Sequence, residues 1–475
     1  YPKQGIRRRE IAKRIDLWTK RADHVIGGCD WVDYLYHWDT LMLAHFSIDM
    51  EVWCCSEQDA VPAETGNDLA PLRILHAPNH RTIKGTQQFV RVVDELVAEG
   101  VMPGSITYVV DDGEVVYHYM NGYQDIDSQT AMTEDTLFRF YSMSKPITSV
   151  AIMLLQEADK LSVDDPVEKF IPAFKDVRVY VSGTVDNMVT EPLKRSMTIG
   201  DLLAHKSGIT YHFTGTTAVH QYYRKYGVKR DTPVGTLPTD GAPAKNLAEL
   251  TERLAKAPLL HQPGEHFTYS YSTTLLGRII ELVSGQSLDI YLQENVFKPL
   301  GMDDTMFFVR GSDLDRFVTN YNMTDSGLVE IENRDNTDYK DPDRLLDGGG
   351  ALAGTAADYL AFATMLANKG TYQGKQFLSE SSVDALFAPR ITIDQMGADK
   401  LMEFGYGFAI GSPVTERINF MPDNTFGWAG SGNTLFWVNP QTHSLVVFMT
   451  QVITPPPFNM QVPFREYLIQ ATDGR

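Results

Sequence analysis

The chain holds one Ser-x-x-Lys, at Ser142-Met143-Ser144-Lys145. Three residues is just under one helical turn, so Ser142 and Lys145 share one side of a helix that begins here. A hydroxyl and an amine so placed can share a proton, which activates a serine without a histidine. The bland alternative is a helix N-cap serine followed by a solvated lysine. Ile147, Val150, Ala151 and Leu154 recur at i, i+3, i+4 and i+7, and Ile152-Met153-Leu154-Leu155 thickens that apolar face. Such a helix is expected to be buried, and a lysine in its first turn then needs a partner or a function.

Two further motifs follow in order. Tyr269-Ser270-Tyr271 ends the run Pro263-Gly264-Glu265-His266-Phe267-Thr268 and precedes a helical pattern that includes Thr273, Leu275, Leu276, Gly277, Ile279 and Ile280. Trp428-Ala429-Gly430-Ser431-Gly432 stands just before a strand-like run at Thr434. A small-residue turn entering a strand lets an acyl group approach the backbone and leaves N–H groups free to face it. Each residue also has a plain structural reading: Tyr269 as a core aromatic, Tyr271 as core or pocket wall, Trp428 as core. His205-x-Ser207-Gly208 reads as a helix C-terminus and turn, and Gly348-Gly349-Gly350 as a place of close backbone packing.

Other chemistries are disfavoured. No His-Glu-x-x-His occurs, and the His76 and His80 pair is interrupted by Pro78. The cysteines are Cys29, Cys54 and Cys55, so no disulfide framework or cysteine-based metal site is expected after them. No metal or organic cofactor is implied. The Gly-x-Ser-x-Gly elbow of the α/β-hydrolases is missing. A net charge of −19 argues against nucleic-acid or anionic-membrane partners. No apolar run is long enough to span a membrane. Arg7-Arg8-Arg9 and neighbouring lysines are not followed by an apolar signal core, so the expected compartment is the cytoplasm.

The elements that must carry these motifs are legible in outline. Residues 1–85 differ in composition and read as an N-terminal extension of uncertain role; 86–475 read as the catalytic region. Gln87–Gly100 patterns as a helix, and Ser105–Val110 with Glu114–Met120 as a hairpin through Asp111-Asp112-Gly113. Helices are expected over Ile199–His205, Leu247–Lys256, Thr273–Ser284 and, capped by Thr355, through Met365. Gly405–Gly411 reads as a strand, Thr434–Val438 with Ser444–Gln451 as a second hairpin, and Pro463–Thr472 as a last helix. The long polar stretch 211–246 reads as a wall or lid over a site. The simplest architecture is α/β (α+β): an antiparallel sheet built from 86–150 and 291–475 and flanked by helices, with a mostly helical domain over 151–290.

At this point the chain resembles the serine β-lactamase and penicillin-recognising fold, in particular class C β-lactamases and family VIII carboxylesterases, over about residues 85–470. Ser142-x-x-Lys145, Asp201-Leu202-Leu203-x-His205-x-Ser207-Gly208, Tyr269 in Pro-Gly-x-x-Phe-x-Tyr-Ser, Gly348–Gly350 and Phe426-Gly427-Trp428-x-Gly430 carry that resemblance. It implies Ser142 as nucleophile, Lys145 and Tyr269 as general-base system, and the backbone N–H groups of Ser142 and Ser431 as oxyanion hole. Trp428, Gly430 and Tyr271 would then face substrate. Class C lactamases keep Tyr-x-Asn and Lys-Thr-Gly, where this chain has Tyr271 and Trp428-Ala429-Gly430. Exchanging that lysine for tryptophan removes a cation that receives the lactam carboxylate and adds apolar surface. The expectation is a serine carboxylesterase acting on short-chain acyl esters, with the shared acylation machinery leaving room for promiscuous β-lactamase activity. A lactamase or D-amino-acid peptidase, an acyltransferase, or a catalytically silent sensor or assembly protein are the alternatives.

Overall fold

The computed structural model describes residues 26–28, 40–42, 93–94, 96–231, 240–394, 401–412 and 421–453. The cysteines, the His76–His80 segment, half of the helix expected over Gln87–Gly100, residues 235 and 238 of the polar stretch and the helix expected from Pro463 lie outside them. Tyr1–Lys84 and Gly85–Gly474 are separate compact units. In the first, Ile26–Gly28 pairs in parallel with Thr40–Met42.

The second unit is α/β, built on a nine-stranded sheet. Its strands in chain order are β1 (Gly104–Asp111), β2 (Glu114–Asp125), β3 (Thr130–Ala131), β4 (Ile391–Asp394), β5 (Leu401–Phe404), β6 (Ala409–Ile410), β7 (Phe426–Ala429), β8 (Leu435–Asn439) and β9 (Ser444–Met449). They lie side by side as β4-β5-β6-β7-β8-β9-β1-β2-β3, every pair antiparallel. The β9–β1 pairing, with Val446 opposite Val109 and Val447 opposite Tyr108, joins the two ends of the unit. Of the strand expected across Gly405–Gly411 only β6, Ala409–Ile410, forms; β5 ends at Phe404 and the chain turns between them at the left-handed Gly407.

The central strands are apolar on both faces because both faces are covered. Along β8, Phe436 and Val438 enter the main core while Leu435 and Trp437 enter a second cluster with Met102, Phe404 and Phe448. That alternation is the two-residue period of a strand. Helix α6 (Ala356–Ala367) covers the main-core face, where Tyr359 sits edge-on to Phe436. Thr355 caps α6 by accepting from the Asp358 N–H.

Between β3 and β4 lie the helices that position the site: α1 (Ser144–Glu157), α2 (Ile199–Leu203), α3 (Ala218–Lys225), α4 (Leu247–Lys256) and α5 (Ser272–Ser284). Helix α1 is buried on nearly every side, as its apolar sequence requires. Thr198 and Asp201 close a reciprocal capping box on α2, and left-handed Gly285 ends α5. The 211–246 stretch is less irregular than its sequence suggests. Its His220 and Tyr223 are buried on α3, and a buried ion pair, Lys229 to Asp240 at 3.1 Å, spans its described parts.

Gly430 follows β7 where the chain leaves the sheet. A Cβ there would collide with Thr434 Oγ1 and with the Phe140 carbonyl. Backbone cannot yield cheaply, so a glycine is required for β7 to lie against the segment before Ser142. Gly430→Ala is expected to lower both the unfolding midpoint and the turnover of a folded fraction, measured by thermal unfolding and by initial rates on a soluble ester.

Candidate active site

Ser142 lies in a single 3₁₀ turn, Tyr141–Met143, that leads into α1. Neither the turn nor α1 has a side-chain cap, so Ser142 is not the capping serine of the plain reading. Its hydroxyl oxygen accepts from Lys145 Nζ at 3.1 Å and from the Tyr269 hydroxyl at 2.7 Å. Ser142 and Tyr269 are half-buried and reachable from solvent, whereas Lys145 is 1% exposed. Lys145 also donates to the Gly349 carbonyl at 2.6 Å, and its Nζ stands 4.6 Å from the centre of the Tyr269 ring. The amine, the phenol and the serine hydroxyl thus form one compact group that can pass a proton among them.

The residue before the serine is held in an unusual conformation. Tyr141 has φ +47°, in the left-handed region that costs a non-glycine residue about 1–2 kcal/mol. Its neighbours hold it there. Asn320 Nδ2 donates to its hydroxyl at 2.7 Å, and Gly350 and Gly432 leave room beside its carbonyl and ring. Tyr359 donates to the Met143 carbonyl, and the Leu352 N–H donates to Ser144 Oγ. The turn carrying Ser142 is therefore braced from the segment around 350 and from α6.

Trp428, at the end of β7, donates its indole N–H to the Tyr269 oxygen at 3.3 Å. Its ring packs against Tyr269 and Phe404, at 5.5 and 5.2 Å between centres. Gly430 is buried beside Phe140 and Ser431 is exposed on the turn that follows. Tyr271 lies deeper. It is 1% exposed, and its hydroxyl is 2.9 Å from His212 Nδ1. Its side chain belongs to the layer behind the site, the core reading, because the chain enters α5 directly after Tyr269-Ser270 and turns the next ring inward.

Several residues that the motifs did not indicate complete the site. Tyr211, 6% exposed, packs edge-on to both Tyr269 and Tyr271 at 5.3 and 4.4 Å. Phe213, 41% exposed, stacks on Tyr211 at 4.9 Å. Their place just after the Ser207-Gly208 turn, as aromatics in a polar stretch, is the signal that marks them. His205 is fully buried, its Nδ1 3.2 Å from Ser270 Oγ and its ring 4.9 Å from Tyr269. Burial, and secondly the nearby Lys145 charge, push its pKa well below the ordinary histidine value. His212 is pushed down to about 4, by burial first and by Lys229 next. Among the described residues no group of histidine, cysteine and carboxylate side chains could hold a metal, and no helix is long and apolar enough to cross a membrane.

Residues 89–467 match the Beta-lactamase family, and the chain belongs to it. Protein Rv1367c of Mycobacterium tuberculosis is 31% identical over 381 residues, 78% of this chain and 90% of that one. Esterase EstB of Burkholderia gladioli is 30% identical over 315 residues, 62% of this chain and 72% of that one. Among solved structures, EstCE1, described as a hydrolase with promiscuous acyltransferase activity, superposes with a TM-score of 0.67 at 24% identity, covering 83% of this chain and 98% of its own. The fold is β-lactamase-like and the protein is a serine hydrolase of that fold.

The indole N–H can be removed without emptying its pocket. Trp428→Phe is expected to lower kcat about tenfold, the worth of one hydrogen bond near the reacting atoms, with KM changed far less; steady-state kinetics on one ester reads both. A second expectation concerns pH. His212 is neutral in the folded state above about pH 4, whereas unfolded it binds a proton below about 6.5. The unfolded state therefore gains protons first, and stability falls as pH drops from about 6.5 to 4, by at most about 1.4 kcal/mol per pH unit from this residue. Asp358, pushed up to about 6 by burial, acts with the opposite sign. The comparison is therefore between variants: His212→Asn should show a shallower fall of unfolding midpoint between pH 7 and 5 than the unaltered chain.

Proposed function

We propose that the chain is a family VIII-type serine carboxylesterase that cleaves short-chain, uncharged acyl esters through an acyl-enzyme on Ser142. The observation that carries the reading is the Ser142 oxygen held between Lys145 and Tyr269, with Trp428 donating to Tyr269. In acylation, Ser142 Oγ bonds to the ester carbonyl carbon. Its proton passes to the Lys145–Tyr269 pair and from there to the departing alkoxide as the C–O bond breaks. Water then attacks the acyl carbon, gives its proton to the same pair, and Ser142 recovers its proton as the acid leaves. The N–H groups of Ser142 and Ser431 are assigned to the oxyanion, since the close fit of Gly430 against Phe140 brings their two turns together.

Substrate class follows from what lines the serine. Tyr269 and Trp428, both half-buried, present aromatic surface beside it, with the buried Tyr211 behind Tyr269, and Trp428 stands where the lactamases carry the lysine that receives a carboxylate. A neutral acyl group suits that wall better than a charged lactam. The esterase relative agrees with this choice. Phe213 favours a second reading, because its exposed ring offers an apolar platform on which an alcohol could replace water as acyl acceptor.

Initial rates on p-nitrophenyl acetate, butyrate and octanoate beside nitrocefin test the proposal. Ester turnover should far exceed nitrocefin turnover, and Ser142→Ala should lower it by more than about a thousandfold with the fold retained. Tyr269→Phe should cost about a hundredfold or more. Ester cleavage surviving in Ser142→Ala, or nitrocefin as the preferred substrate, defeats the reading. Adding a small alcohol separates hydrolysis from transfer: a new ester product shows that the acyl-enzyme accepts it.

A further inference from the structure

One buried charge near the site belongs to no catalytic motif. Asp347 is 1% exposed and immediately precedes Gly348–Gly350. Its Oδ1 accepts from Thr274 Oγ1 at 2.6 Å and from the Gly349 N–H at 2.7 Å. Its Oδ2 lies 2.9 Å from Arg230 Nε. Its backbone carbonyl accepts from the N–H groups of Gly350 and Ala351. A carboxylate so buried is tolerated only with a counter-ion and filled acceptor sites, and both are present.

What this carboxylate holds is the turn that reaches Lys145. Thr148, on α1, donates to the Gly348 carbonyl. Arg230 Nη2 donates to the Gly350 carbonyl at 3.3 Å. Between these two, the Gly349 carbonyl accepts from Lys145 Nζ at 2.6 Å. The turn is wedged between helices: a Cβ on Gly348 would meet Thr148 Oγ1 at 2.7 Å, and one on Gly349 would meet Thr274 Oγ1 at 2.9 Å. Thr274 stands in the first turn of α5, five residues after Tyr269. One carboxylate is therefore bonded both to the turn that orients Lys145 and to the helix that follows Tyr269.

We propose that Asp347, held by Arg230 and Thr274, is the positioning residue of the Lys145–Tyr269 base system. It fixes the Gly349 carbonyl that aims Lys145 at Ser142, and through Thr274 it fixes the start of α5 and hence the separation of Lys145 from Tyr269. Arg230 contributes the counter-ion from the 211–246 stretch, which gives that wall a part in the chemistry as well as in enclosure. The inference rests on the esterase reading, in which those two residues serve Ser142.

The test uses Thr274→Val, which removes one bond to the carboxylate and keeps its shape, and Asp347→Asn, which removes the charge. Active sites are titrated with a fluorophosphonate, and kcat, KM and the rate of Ser142 labelling are measured on an ester substrate, with unfolding midpoints alongside. The expected result is a fall in kcat per titrated site of about tenfold for Thr274→Val and more for Asp347→Asn. The labelling rate should fall in parallel, with KM within about twofold. A purely structural residue would lower the midpoint and the titrated fraction but leave kcat per site alone. If Asp347→Asn does not fold, Thr274→Val decides. Wild-type kcat per site in folded Thr274→Val, or a raised KM with kcat unchanged, overturns the proposal. Ser142→Ala run in parallel separates the two failures. If it is inactive while these variants are not, only the positioning role is lost. If it remains active, the esterase reading itself is lost and the positioning role with it.

Discussion

A lysine amine buried to 1% exposure with no carboxylate at ion-pair distance among the described residues is the constraint around which this structure is arranged. Moving such a group out of water is costly unless its donors are used. Here they go to a carbonyl and a serine hydroxyl, with the faces of Tyr269 and Tyr211 beyond. An adjacent carboxylate would be a stronger acceptor for the amine, but it would draw the amine's N–H away from the serine. The chain instead keeps the buried carboxylate of Asp347 paired with Arg230 and bonded to the Gly349 N–H, so that a neutral peptide oxygen meets the lysine.

That arrangement accounts for features that otherwise look unrelated. The three glycines at 348–350 are there because the turn must fit between Thr148 on α1 and Thr274 on α5. The left-handed Tyr141 points the following serine toward the lysine, and Asn320 secures its ring from below. Gly430 lets β7 come against Phe140, which sets Trp428 over Tyr269 and the following turn beside Ser142. Each device trades local conformational ease for placement of a reacting atom, and the large, doubly covered sheet supplies the stability against which such strain can be held.

The parts legible in the sequence are those whose meaning is local. Ser142 and Lys145 are three residues apart, one in the 3₁₀ turn and the other in the first turn of α1 that continues it, so their encounter follows from helical spacing. The hairpins at Asp112-Gly113 and across 439–443, and helix α4, are written in turn residues and apolar periods. Tyr269 and Trp428 were found through short motifs at element ends. Tyr211, His212, Arg230 and Asp347 were not, because each acquires its role from partners that are distant in sequence. Asp347 and Thr274 are 73 positions apart, and no periodicity connects them. The usable signal for Asp347 was its place: an acidic residue abutting three glycines, in a chain whose neighbouring helices are apolar.

On the proposed reading, a tryptophan at 428 in place of the lactamase lysine would change specificity while leaving the acylation group in place. In the lactamase pattern that position offers a cation with three donors; here it offers one N–H and a broad apolar face. The single donor is directed inward to Tyr269, not toward solvent. A substrate carboxylate arriving at this wall would meet indole and phenol rings without a compensating charge, and would lose hydration it could not replace. An uncharged acyl chain would lose little hydration on the same surface and gain contact with Trp428 and Tyr269. On the proposed reading the discrimination would come from the cost imposed on the wrong ligand as much as from attraction for the right one, leaving the serine, the lysine and the tyrosine free to be the same in both kinds of enzyme.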